Sequence, residues 1–76
     1  MKIIVKLFAF FRKDRFSIKE WETKEGTKVE DIMAELSITK EEMEIGIILV
    51  NGLYGTFQTV LKEGDVLALF PPAAGG

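Results

Sequence analysis

The 76-residue chain contains neither histidine nor cysteine. That removes the most common general base, the most common metal ligand and any thiolate nucleophile. Catalysis by this chain alone would rest on carboxylates, lysines or hydroxyls, and its acidic residues are scattered through turns and one outer helix face rather than paired. Gly52 and Gly55 flank Leu53-Tyr54 without the lysine and helix of a phosphate-binding loop, so they read as turn residues, as does Asn51. The distinctive reactive group is instead the main-chain carboxylate of Gly76, at the end of Phe70-Pro71-Pro72-Ala73-Ala74-Gly75-Gly76. Two prolines stiffen the exit, and Ala73, Ala74, Gly75 and Gly76 can then extend for up to ~14 Å. Glycine lets another protein's active site close around the backbone itself. These four residues are therefore expected to enter a partner's active site.

A tail of this kind needs a platform, and the rest of the sequence reads as one. Residues 2–8 alternate, with Ile3, Val5 and Leu7 on one side and Lys2, Ile4, Lys6 and Phe8 on the other, which predicts a strand. The charged cluster Arg12-Lys13-Asp14-Arg15 fits a loop, and Phe16 to Trp21 a second strand, paired with the first as a hairpin. Thr27 and Glu30 have the spacing of a capping box, so a helix is predicted over 27–36. Its apolar stripe is Val29, Ile32, Met33 and Leu36. Thr39 and Glu42 repeat the spacing and predict a short helical turn over 39–44. Ile47-Ile48-Leu49-Val50 is a short apolar run that reads as a central strand, and Asn51-Gly52 supplies a tight turn after it. Lys62-Glu63-Gly64-Asp65 is a turn signal, followed by a last strand, Val66 to Phe70, which Pro71-Pro72 stops. Phe10 and Phe11 read as core, and Trp21 and Tyr54 as packing residues.

Composition bounds the partners. At 8.6 kDa the chain is one small domain, and 47% hydrophobic residues suffice for a compact core. The division expected is a folded domain over 1–70 and an extended tail over 71–76. Ten basic against twelve acidic residues give a net charge of -2, the wrong sign for a nucleic-acid partner. The first strand is broken by Lys6 and offers neither a signal-peptide core nor a membrane span, so a cytoplasmic location without membrane partners is expected.

The segments Val5-Lys6-Leu7-Phe8-Ala9-Phe10-Phe11-Arg12, Gly26-Thr27-Lys28-Val29-Glu30-Asp31-Ile32, Leu49-Val50-Asn51-Gly52, Leu61-Lys62-Glu63-Gly64-Asp65-Val66 and the FPPAAGG ending occur in one order over the whole chain. In this the sequence resembles the MoaD/ThiS family of ubiquitin-like sulfur carriers. The proline pair after an aromatic looks most like the small subunit of molybdopterin synthase. The resemblance implies an α+β, ubiquitin-like β-grasp fold, with one main helix on a mixed four- to five-stranded sheet. It implies a carrier rather than an enzyme, whose Gly76 is adenylated and then thiocarboxylated to deliver sulfur in molybdenum- or tungsten-cofactor biosynthesis. The alternatives it leaves open are a thiamine-pathway carrier and a protein modifier joined to target lysines.

Implied partners are a ubiquitin-activating-enzyme-like adenylyltransferase, the large synthase subunit and a sulfur donor protein. No cofactor or metal would be permanently bound, and ATP would be consumed by the activating partner. With the last strand parallel to the first, as in the family fold, Phe8 and Phe70 would share the sheet end from which the tail leaves. Phe8, Phe70, Pro71 and Arg12 are then the expected partner contacts.

Overall fold

The computed structural model describes residues 1–72. Strand β1 (Lys2–Leu7) follows from its alternation: Ile3, Val5 and Leu7 are buried, while Lys2 is exposed and Ile4 and Lys6 are half-buried. It ends one residue before the sequence reading placed it. Phe8 leads into Ala9, whose φ of 51° turns the chain into a 3₁₀ turn, Ala9–Arg12, that drops Phe11 into the core. The hairpin partner β2 (Ile18–Glu22) is antiparallel to β1, from Lys2 opposite Glu22 to Lys6 opposite Ile18. Phe16 was expected inside this strand. It lies before it, with its ring packed on Trp21 at 5.9 Å, so an aromatic contact rather than a ladder bond fixes it.

Helix α1 (Val29–Glu35) lays the expected stripe on the sheet, with Val29, Ile32, Met33 and Leu36 all buried. Its cap lies one residue from the predicted Thr27–Glu30 box. The N–H of Lys28 donates to the Asp31 carboxylate at 2.8 Å. Thr27 is buried and already committed, since its Oγ1 donates to the Lys24 carbonyl at 2.6 Å and shares a hydrogen bond with Thr23 Oγ1 at 2.9 Å. The threonine thus closes the turn through Gly26, whose φ is 85°, and Glu30 is free to pair with Lys40 at 2.8 Å. The shorter α2 (Lys40–Met43) has the reciprocal cap the sequence predicts: Thr39 Oγ1 accepts from the Glu42 N–H at 3.1 Å, and the Glu42 carboxylate accepts from the Thr39 N–H at 2.9 Å.

Strands β3 (Ile47–Val50) and β4 (Leu53–Tyr54) form a hairpin across Asn51 and Gly52, with φ of 53° and 81°, the two positive values a two-residue turn requires. The last strand, β5 (Val66–Phe70), is parallel to β1 and antiparallel to β3, giving the order β2-β1-β5-β3-β4. The central strand is therefore β5, not β3 as the sequence suggested. Leu67, Ala68 and Leu69 are all buried, as a strand flanked on both sides demands. Beneath α1 and α2, Ile3, Val5, Leu7, Phe11, Ile48, Leu61, Leu67 and Leu69 join the helix residues in one core.

Truncating Leu36→Ala is expected to cost about 2 to 5 kcal/mol, read as a lower denaturant midpoint. Two carboxyls of the helices contribute to stability on the acid side. The Thr39 N–H holds the Glu42 carboxyl below its ordinary value, and hydrogen bonding to Lys40 does the same for Glu30. Carboxyls lowered by folding stabilise above their unfolded value, and that contribution disappears as pH falls through the folded value. Glu30→Gln and Glu42→Gln are therefore each expected to lose less stability than wild type between about pH 5 and pH 3, as thermal melts across that range would show.

Candidate functional site

Two parallel strands end on the same side of a sheet. The register Lys6 opposite Ala68 and Leu7 opposite Leu69 brings the next residue pair, Phe8 and Phe70, together where β1 and β5 finish. Their rings stack at 4.0 Å between centroids with 13° between planes, and both are half-buried. Arg12 braces this pair from the 3₁₀ turn. Its Nε donates to the Leu7 carbonyl at 2.8 Å, and its guanidinium carbon lies 5.3 Å from the centroid of the Phe8 ring, while the residue remains exposed. Pro71 and Pro72 continue directly from Phe70 and are half-buried. The structure thus brings Phe8, Phe70, Pro71 and Arg12 to one sheet end. Ala73, Ala74, Gly75 and Gly76, the expected tail and reactive terminus, lie outside the described residues.

The stack is the corner of a larger surface. Cross-strand partners share a sheet face, so the registers place Ile4, Lys6, Ile18, Val66, Ala68, Phe70, Ile47, Leu49 and Tyr54 on the side opposite α1. Ile18 is 60% exposed, Ile47 42% and Tyr54 84%. Tyr54 is therefore no packing residue. It sits on the two-residue edge strand β4, where no neighbour covers it. Phe10 is also exposed rather than core, because in the tight 3₁₀ turn Phe11 takes the inward position and Phe10 meets it edge-on at 5.3 Å. Lys6 lies between Ile18 and Ala68, and by the same rule Glu20, opposite Ile4, and the Lys2–Glu22 pair share this side, so the face is charged toward β1 and β2 and apolar toward β5, β3 and β4.

Ile18, Ile47 and Leu49 escaped the sequence reading. The signal was present in the unbroken run Ile47 to Val50: a strand with one wet face ordinarily alternates with polar residues, and this one does not. Gly46 escaped as well. A Cβ there would lie 2.5 Å from the Phe70 carbonyl oxygen, so β3 approaches the tail exit as closely as it does only because residue 46 has no side chain.

Among the described residues no group of three or more acidic side chains is placed to hold a metal, and no buried polar side-chain atom lacks a partner. What the geometry offers is a rigid aromatic anchor, an apolar surface around it and a chain leaving beside both.

A five-stranded mixed sheet grasping one main helix, with its last strand central and leading into a Gly-Gly ending, defines a ubiquitin-like β-grasp protein. The ThiS family model matches residues 5–76. The chain belongs to the ThiS family of ubiquitin-like sulfur carriers. Among solved structures it is similar to a putative molybdopterin converting factor, subunit 1, from Pyrococcus furiosus, at 32% identity and a TM-score of 0.73, covering 96% of this chain and 99% of that one. It is similar to a complex of subunits 1 and 2 of molybdopterin-converting factor from Helicobacter pylori, at 25% identity and TM-score 0.65 over all of both chains. Small archaeal modifier protein 1 of H. volcanii shares the fold, at 22% identity and TM-score 0.75, over 95% of this chain and 98% of that one. Among curated proteins none matches the sequence.

Gly46→Ala is expected to force the last rung between β3 and β5 apart, at a cost of about 1 to 3 kcal/mol. Amide exchange at Ile47 should accelerate while Leu67 and Leu69 remain protected at the strand centre.

Proposed function

We propose that this protein is a cytoplasmic sulfur carrier that acts as the non-catalytic small subunit of a molybdopterin synthase-type complex, with Gly76 as its reactive residue. A carboxylate is a poor electrophile. An activating partner related to ubiquitin-activating enzymes first joins the Gly76 carboxylate to the α-phosphate of ATP, with release of pyrophosphate. Sulfur delivered by a donor protein at the sulfide oxidation level then attacks the acyl carbon and displaces AMP, leaving a thiocarboxylate, and the tail carries that sulfur into the active site of the large subunit.

The observation that carries this reading is the Phe8–Phe70 stack at the point where the chain leaves β5. A docked partner that grips these rings holds the tail at a fixed distance and direction, because Pro71-Pro72 restrict the next two φ angles. The lack of histidine and cysteine fits a chain that leaves the chemistry to its partners. The Pyrococcus relative's name and the Helicobacter complex of subunits 1 and 2 favour the molybdopterin branch and a large-subunit partner. The shared fold of the archaeal modifier keeps a second reading in play, in which Gly76 is joined to lysines of target proteins.

Incubation of the full chain with its activating enzyme, ATP and a sulfur donor, followed by intact mass spectrometry and fragmentation, tests this. The expected result is replacement of one oxygen by sulfur at Gly76. Phe8→Ala and Phe70→Ala are each expected to lower kcat/KM for activation by about tenfold or more, while leaving a folded chain. An unchanged terminus with a competent activating enzyme would sink the carrier reading, and Gly76–lysine conjugates would replace it with the modifier reading.

A further inference from the structure

Asn51 is the one asparagine in the chain, and it is followed by glycine. Asn-Gly is the dipeptide most prone to spontaneous loss of the side-chain amide, since a following glycine lets its backbone nitrogen reach the asparagine Cγ without hindrance. Both residues are exposed to water here. The fold nevertheless occupies every polar atom of the Asn51 side chain that the reaction must move. Its Oδ1 accepts from the Val66 N–H at 2.8 Å, and its Nδ2 donates to Asp65 Oδ1 at 2.8 Å. The Asn51 main-chain N–H donates to the Val66 carbonyl at 2.9 Å, so backbone and side chain together clasp the β3–β4 turn onto the start of β5. With Asn51 at φ 53° and its side chain drawn toward β5, attack by the Gly52 nitrogen requires both side-chain hydrogen bonds to break first.

We propose that Asn51 is a latent modification site, whose amide persists only while the turn stays clasped and which local opening exposes to deamidation. In the step itself the Gly52 nitrogen forms a bond to Asn51 Cγ. The Cγ–Nδ2 bond breaks, and the Gly52 N–H proton leaves with the amide as ammonia. Water then opens the resulting five-membered imide at either carbonyl, giving an aspartyl or an isoaspartyl linkage, with no change of oxidation state.

Either product weakens the clasp that had protected the site. The aspartyl form has no Nδ2–H to donate, and its carboxylate faces that of Asp65, whose Oδ2 is already engaged by the Lys62 N–H at 2.8 Å. The isoaspartyl form adds a methylene to the main chain inside a two-residue turn, so the β3 and β4 registers no longer meet. Once deamidated, the turn therefore opens more readily, and the start of β5, the strand that leads into the tail, loses its clasp.

The test uses the full chain at one mildly alkaline pH, folded, in denaturant, and as the Asp65→Ala variant with its fold verified by circular dichroism. Intact mass gives the rate of amide-to-acid conversion, and peptide mapping separates aspartyl from isoaspartyl product at residue 51. The denatured chain is expected to lose its amide at least about tenfold faster than the folded one. Asp65→Ala is expected to move the folded rate toward the denatured one, and Asn51→Asp to lower the melting temperature, with Asp65→Asn restoring part of the loss. Equal rates in folded and denatured chains would overturn the proposal whether or not Asp65→Ala folds, and so would an unchanged rate in a folded Asp65→Ala.

Discussion

The structure depends on the parallel pairing of β1 with β5. Val5 lies opposite Leu67 and Leu7 opposite Leu69, all four fully buried, and α1 packs on the surface they form. This contact joins the two ends of the folded domain, so the loop it closes holds nearly every other element. The entropy of that closure grows only slowly with length, and four buried aliphatic side chains of about 1.5 to 3 kcal/mol each are well matched to it. Once it is made, β2 has an edge to pair with on one side and β3 on the other. The helix then has a continuous apolar floor.

The same pairing produces both the core and the exposed face that carries the Phe8–Phe70 stack. Alternation along β1 sends Ile3, Val5 and Leu7 toward the helix and Ile4, Lys6 and Phe8 the other way, and β5 does the same with Leu67 and Leu69 against Ala68 and Phe70. A one-residue slip would exchange the two sets. Fold stability and the geometry of that face are therefore coupled through register. The Phe8–Phe70 stack forms only when Leu7 and Leu69 are in place, and the direction of the Pro71-Pro72 exit follows from where β5 stops.

Most of this was legible in the residues because the strong signals were periodic or steric. The parity of residues 2–7, the stripe from Val29 to Leu36, the positive-φ pair Asn51-Gly52 and the proline stop after Phe70 each have one physical reading. The errors came where a residue had two possible partners. Thr27 bears the hydroxyl of an N-cap, yet a turn through Gly26 claims it first. Phe10 and Phe11 are chemically alike, and only the sharp turn begun by Ala9 decides which ring goes inward. The identity of the central strand is a property of strand order, which a linear pattern does not contain. The exposed face around Ile47 and Tyr54 needed that order as well, because only the registers show which side of each strand lies opposite the helix.

The position of β5 has a further consequence for how the molecule comes into being. A chain made from its N-terminus carries β1, β2, α1 and β3 long before the strand that separates β1 from β3 exists. Until residues 66–70 leave the ribosome, β1 and β3 each lack their shared neighbour, and the apolar face of α1 has only half a floor. Folding is thus withheld until β5 has been made. Interrupted chains remain open to proteases, and a folded domain certifies that the segment leading directly into the tail has been made.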